Sequence, residues 1–164
     1  MLSELYVWDS TIEDGGSDEV CSEAYQRILK SAELPVSVAE KASQDGVWSL
    51  AAQLLTKHFF KFPTLQMEVL DALLGLCKVG NSQTVRIHTI RSLLALDKAS
   101  KDTRNLIPSQ ARNKVRVFIR GLLENERSGV VMRHLTQLDK SLANYNQGNE
   151  TSKGENVVSV LIAS

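Results

Sequence analysis

From Asp18 to about Tyr145, apolar residues return every three or four positions, and short breaks bearing proline, glycine or polar residues divide that rhythm into brief lengths. A chain patterned in this way hides its apolar stripes only by laying short helices side by side. Val20, Ala24, Ile28 and Leu29 form the first strong stripe, with Asp18 as a candidate N-cap. Pro35 starts a shorter helix to about Gln44, carrying Val38 and Ala42. The clearest helix runs from Val47 to Phe62, where Trp48, Ala51, Ala52, Leu55, Phe59 and Phe62 make a broad face and Gly46 stands at the entrance.

Pro63 closes that helix, and Thr64 is placed to cap the next one, Leu65 to Val79. Its stripe is Val69, Leu70, Leu73, Leu76 and Cys77, and Gly80 is a candidate C′ residue. Ser82 caps a helix that reaches about Lys98, with Val85, Ile87, Ile90, Leu93 and Leu94 apolar. Beyond a polar stretch, Pro108 and Ser109 open a helix with a seam of Ala111, Val115, Phe118 and Leu122. After Ser128 and Gly129, a last helix carries Val131, Leu135, Leu138 and Leu142.

Only 5% of the residues are aromatic, and the apolar set is mainly Leu, Val, Ala and Ile, which favours helix-on-helix packing over an aromatic-rich sandwich. The helices beginning near Val47 and Thr84 lie 37 residues apart with one helix between them. That spacing approaches the ~40-residue period of HEAT and armadillo arrays, in which each helix pair covers the apolar side of the next. The expected fold is therefore all-α: a short right-handed solenoid of antiparallel helix pairs. Residues 1–17 read as an acidic N-terminal segment, 18–145 as the helical-repeat domain, and 146–164 as a polar linker with a short apolar tail.

Charge is unevenly spread beneath a net of zero. Residues 1–45 carry ten acids against three bases, whereas residues 46–134 carry fourteen bases against six acids. Arg112, Arg116 and Arg120 recur at every fourth position and are expected to form one basic ridge, with Lys114 and Arg104 nearby. Such a ridge suits carboxylates or phosphates, and its reversal to glutamate is expected to abolish partner capture while leaving helicity intact. Aromatic platforms for unstacked bases are lacking, so direct nucleic-acid binding is not expected; a protein-binding scaffold is the leading expectation, and a nucleic-acid-associated adaptor in mRNA processing or export is the alternative. Arg86, in the Val85-Arg86 pair that opens its helix, is expected between repeats, held by acid or carbonyl groups. The plain alternative is an arginine on a solvated helix face.

Few features point to chemistry. His58, His88 and His134 have no metal-ligand spacing, and Cys21 and Cys77 are distant thiols in apolar patterns. No phosphate-cradling glycine loop and no nucleophile elbow occurs. Glu124 and Glu126 point to different sides of a helix and make poor acid/base partners. Neither a catalytic residue, a metal, a cofactor nor a small-molecule substrate is expected. No secretory signal is evident, and no apolar run approaches the ~20 residues that span a bilayer.

One stretch carries a resemblance. Glu23-Ala24-Tyr25-Gln26-Arg27-Ile28-Leu29-Lys30, then Leu50-Ala51-Ala52-Gln53-Leu54 through Phe59-Phe60-Lys61-Phe62-Pro63-Thr64-Leu65, resembles the N-terminal region of the apoptosis inhibitor 5 (antiapoptosis clone 11) family. A Leu-Cys near the end of the following helix, then Val85-Arg86 and Ile90, continue the order, so the likeness covers about residues 20–97. The resemblance implies a solenoid of HEAT-like and armadillo-like repeats, nuclear residence, anti-apoptotic activity, and protein partners that include RNA helicases of mRNA metabolism. The family's leucine-zipper-like segment and basic nuclear signal have no counterpart in this sequence. A short, N-terminal-only relative is expected, with the cytoplasm as a second location.

Overall fold

The breaks in the apolar rhythm become turns between packed helices. The computed structural model describes residues 2–33, 41–101 and 107–144, and among these it contains helices and no strand. The helices are α1 (Leu2–Glu13), α2 (Asp18–Glu33), α3 (Lys41–Lys57), α4 (Gln66–Leu76), α5 (Gln83–Ser100), α6 (Ser109–Asn125) and α7 (residues 129–144). The chain is an all-α, solenoid-like stack. Short connections make α2 and α3, α4 and α5, and α6 and α7 successive pairs. The pairs stack through two layers: α4 packs on α2 and α6, while α3 packs most extensively on α5. Ser141 of α7 hydrogen-bonds Asp97 of α5, which continues the second layer.

Equivalent helices start at Asp18, Gln66 and Ser109 in one layer and at Lys41, Gln83 and residue 129 in the other, spacings of 42 to 48 residues. The period is thus longer than the 37 residues read from the sequence, because α3 starts at Lys41 rather than Val47. Gly46 lies inside α3 instead of at its entrance. A glycine there costs about 1 kcal/mol relative to alanine, and packing of the buried face offsets it. The shorter helix expected from Pro35 falls largely outside the described residues, and its end, from Lys41, belongs to α3.

The α-helical part of α3 also ends sooner than expected, at Lys57, and the chain continues through two 3-10 turns, Phe59–Lys61 and Pro63–Leu65. This break lets the aromatic residues face different neighbours. Phe59 is fully buried, Phe60 meets it edge-on at 5.2 Å, and Phe62 stacks on Tyr25 at 4.3 Å. The Tyr25 hydroxyl donates to the Leu55 carbonyl at 2.6 Å, occupying one of the carbonyls left open at the end of α3. Burial raises the Tyr25 pKa, so the hydroxyl stays a donor.

Caps differ from the expectation in three places. Ser17, not Asp18, caps α2, accepting from the Val20 amide at 3.4 Å, and Val20 itself is exposed while Cys21 is buried. Leu65 precedes α4 without a side-chain cap, so Thr64 has no such role. Gly80 has a φ of +157° but lies beyond the C′ position, and the Asn81 amide satisfies the end of α4 by donating to the carbonyls of Gly75 and Leu76 at 3.0 and 3.2 Å. Ser82 caps α5, accepting from Val85 N at 3.3 Å.

The buried side chains form one core that runs from Leu5 to Leu142. The opening segment is part of it. Leu5 and Ile12 are buried, and α1 packs on both α2 and α3. An acidic composition concealed these two residues, since α1 shows its other side, with Tyr6 and Val7, to solvent. At the far end Val131, Leu135, Leu138 and Leu142 are all buried. The polar linker and apolar tail read from residues 146–164 lie outside the described residues. Among the described residues no helix is long and apolar enough to cross a membrane.

Candidate interaction surface

Four arginines of the sequence reading face inward or toward neighbouring acids. Arg86 is buried at the start of α5. Its Nε donates to the carbonyl of Cys77 at 2.8 Å, near the end of α4. Its two terminal nitrogens reach Glu126, which follows α6, in a forked ion pair with one contact at 3.3 Å. Glu126 Oε1 also accepts from the amides of Arg127 and Ser128 at 3.2 and 3.0 Å. The Arg86 hydrogen bond holds the Glu126 carboxyl below the ordinary carboxylate range, against the upward push of burial. One guanidinium therefore joins the second helix pair to the connection within the third. Burial pushes the neighbouring Cys77 thiol up to about 12, which keeps it protonated and unreactive.

Arg112 is not part of a solvent-facing ridge. It is buried, its Nη1 lies 2.8 Å from Asp97 Oδ1, and its other terminal nitrogen donates to Ser100. The same Asp97 accepts from Ser141 and lies 3.8 Å from Lys101 Nζ. The reason is visible in the apolar seam: Arg112 follows Ala111 and precedes Val115, both buried, so its position on α6 points at α5. Arg116 and Arg120 share Asp139 of α7, at 3.8 and 3.4 Å. Lys114 meets Asp71 of α4 at 2.6 Å, with both side chains about half exposed. Arg104 lies outside the described residues. The expected ridge is thus divided among Asp97, Asp139 and Asp71, and its charges are engaged within the molecule.

Sequence reasoning did not find the acids that take up these cations. Each partner lies 15 to 43 positions away along the chain, as Asp97 does from Arg112 and Asp71 from Lys114. No local spacing marks such pairs.

A second charged cluster fixes α1. Lys57 Nζ lies 2.9 Å from both Asp9 and Glu13, and His58 Nε2 lies 2.7 Å from Asp9. Asp9, Glu13 and His58 are close enough to suit a metal ion, yet the Lys57 ammonium already supplies the positive charge between the two carboxylates. His88 and His134 stand apart from this cluster on α5 and α7 and are half-buried. Burial lifts the Asp9 carboxyl, but hydrogen bonds from His58 and Lys57 outweigh it and hold it below 3.8. The Lys57 hydrogen bond lowers Glu13 below its ordinary 4.5, and Glu13 and Asp9 raise Lys57 above 10.5.

The signs of these shifts fix a pH dependence. The depressed carboxyls add stability above their ordinary values and lose it as pH falls through the lowered ones. The raised lysine adds stability below 10.5 and loses it as pH climbs past that value. A Lys57→Met variant should therefore melt below the native chain at neutral pH, with the gap closing in acid and again in strong alkali. A gap constant across pH in thermal melts would show that the cluster does not hold α1.

A small apolar cavity of about 20 Å³, room for about one water molecule, is lined chiefly by Leu70, Leu93, Leu96, Val115, Leu138 and Leu142. A larger and more open depression of about 360 Å³ lies among Ala32, Glu33, Trp48, Asp71, Gly75 and Asn81. Comparison with protein families matches residues 2–110 to Apoptosis inhibitory protein 5 (API5), from α1 to the start of α6. No curated protein and no solved structure matches the chain.

Proposed function

The chain belongs to the Apoptosis inhibitory protein 5 family, and from that premise we propose that it is a non-enzymatic helical-repeat scaffold that binds another protein and restrains apoptosis. One observation carries this reading. Arg86, Asp97, Arg112 and Glu126, the buried charged side chains of the described residues, bind each other and so fasten helix to helix. Groups used in that way are not assembled around a reaction site, and what they hold together is a set of helix walls open to solvent. Binding in the nucleus, with an RNA helicase as partner, follows from the family resemblance, and an acidic protein partner follows from the basic middle of the chain; both are part of the same proposal.

The test is cellular. Cells expressing the chain and deprived of growth factors should show lower caspase activity than cells expressing an unrelated helical protein at the same level. Equal caspase activity in the two would overturn the proposal.

A further inference from the structure

With the sequence-predicted ridge engaged by acids, the unengaged positive charge lies elsewhere. Arg91 and Lys98 of α5, and Arg133 and Lys140 of α7, are exposed and form no ion pair among the described residues. Within each helix the two cations stand seven positions apart, which places them on one side, roughly 10 Å from each other. Ala95 and Gln137, both exposed, fall between them. The two helices are neighbours, since Ser141 bonds Asp97 and Lys101 donates to Ser141 at 3.2 Å.

Nothing negative on these helices offsets the four charges. Among the described residues α5 and α7 carry one acid each: Asp97 is buried against Arg112, and Asp139 is taken by Arg116 and Arg120. The outer side of this layer is thus a four-cornered cationic face. We infer that this face docks an acidic protein segment whose carboxylates reach both cation rows.

Charge complementarity selects the occupant. A carboxylate-rich segment meets two cations along each helix, and lysine and arginine heads on flexible stems adjust to its spacing. Single-stranded nucleic acid would also be attracted, but neither helix has a Phe, Tyr or Trp on which bases could stack. The inference rests on the scaffold reading, because it names the partner class of that scaffold.

The test uses the full chain with two fluorescent probes, an oligoglutamate peptide and an oligouridylate of equal charge. One variant carries Arg91→Glu, Lys98→Glu, Arg133→Glu and Lys140→Glu. A second carries Lys30→Glu, Lys61→Glu, Lys78→Glu and Arg127→Glu, exposed positions elsewhere that change net charge equally. Circular dichroism selects folded variants; if the fourfold change unfolds the chain, the Arg91→Glu, Lys98→Glu pair replaces it. The native chain should bind oligoglutamate more tightly than oligouridylate, and the face variant should lose about tenfold or more in affinity while the control keeps most of it. Equal losses in the two variants, or tighter binding of oligouridylate, would overturn the inference. A face variant that still lowers caspase activity as well as the native chain would count against this face while the scaffold reading stands. A native chain with no effect on caspase activity would sink the scaffold reading itself.

Discussion

Replacing Arg86 with leucine should lower the stability of the chain by about 3–5 kcal/mol, the cost of leaving a buried carboxylate without its cation. Glu126 would then sit in the core with only the amides of Arg127 and Ser128 to oppose its charge, and the Cys77 carbonyl would lose a donor. Glu126→Gln should cost less, since the amide oxygen still accepts from the arginine. The double change Arg86→Leu, Glu126→Leu should recover much of the loss, because the desolvation of both charges disappears with them. Urea unfolding of these proteins, together with Glu126→Leu alone, measures this directly. Additive losses in the double variant would mean that the two side chains act independently.

Arg112→Glu is the second large effect. It brings a second carboxylate against Asp97 in a buried site, and the expected loss is more than about 3 kcal/mol. For a domain of ordinary stability that is a large fraction of the total. Arg116→Glu and Arg120→Glu each change a half-exposed or exposed pair to Asp139, and about 1 kcal/mol or less is expected from each. Reversing all three arginines, which the sequence reading expects to leave helicity intact, should therefore reduce helicity through Arg112 alone. Thermal melts by circular dichroism separate the three, and equal melting of all single variants would show that Asp97 does not depend on Arg112.

Much of the fold was legible because helical periodicity is local. The four apolar residues of α7 and the Ser82 cap follow from spacings of three or four residues, which a sequence displays. Helix ends were less legible. The turn at Phe59–Lys61 does not change the apolar pattern, so Phe59 and Phe62 look like one continuing face although Phe62 turns to Tyr25. Lys41 to Gly46 belong to α3 despite the glycine, because packing outweighs propensity.

The surface was the least legible part. A basic spacing of four residues is compatible with a solvated ridge and with a row of internal clamps, and only the position of Asp97, Asp71 and Asp139 in space decides between them. The same geometry leaves Arg91 and Lys98 unengaged, although they too are cations on the outer side of a helix, as Arg120 is.

The two junctions of the stack are fastened by different forces. Between the second and third helix pairs stand the Arg86–Glu126 and Asp97–Arg112 contacts and the Lys114–Asp71 bridge, whereas the first and second pairs meet, among the described residues, without any ion pair. Chilling weakens the greasy junction, and strong acid, by discharging Glu126, weakens the electrostatic one. The stack consequently has two unequal junctions, and an experimenter can choose which to loosen.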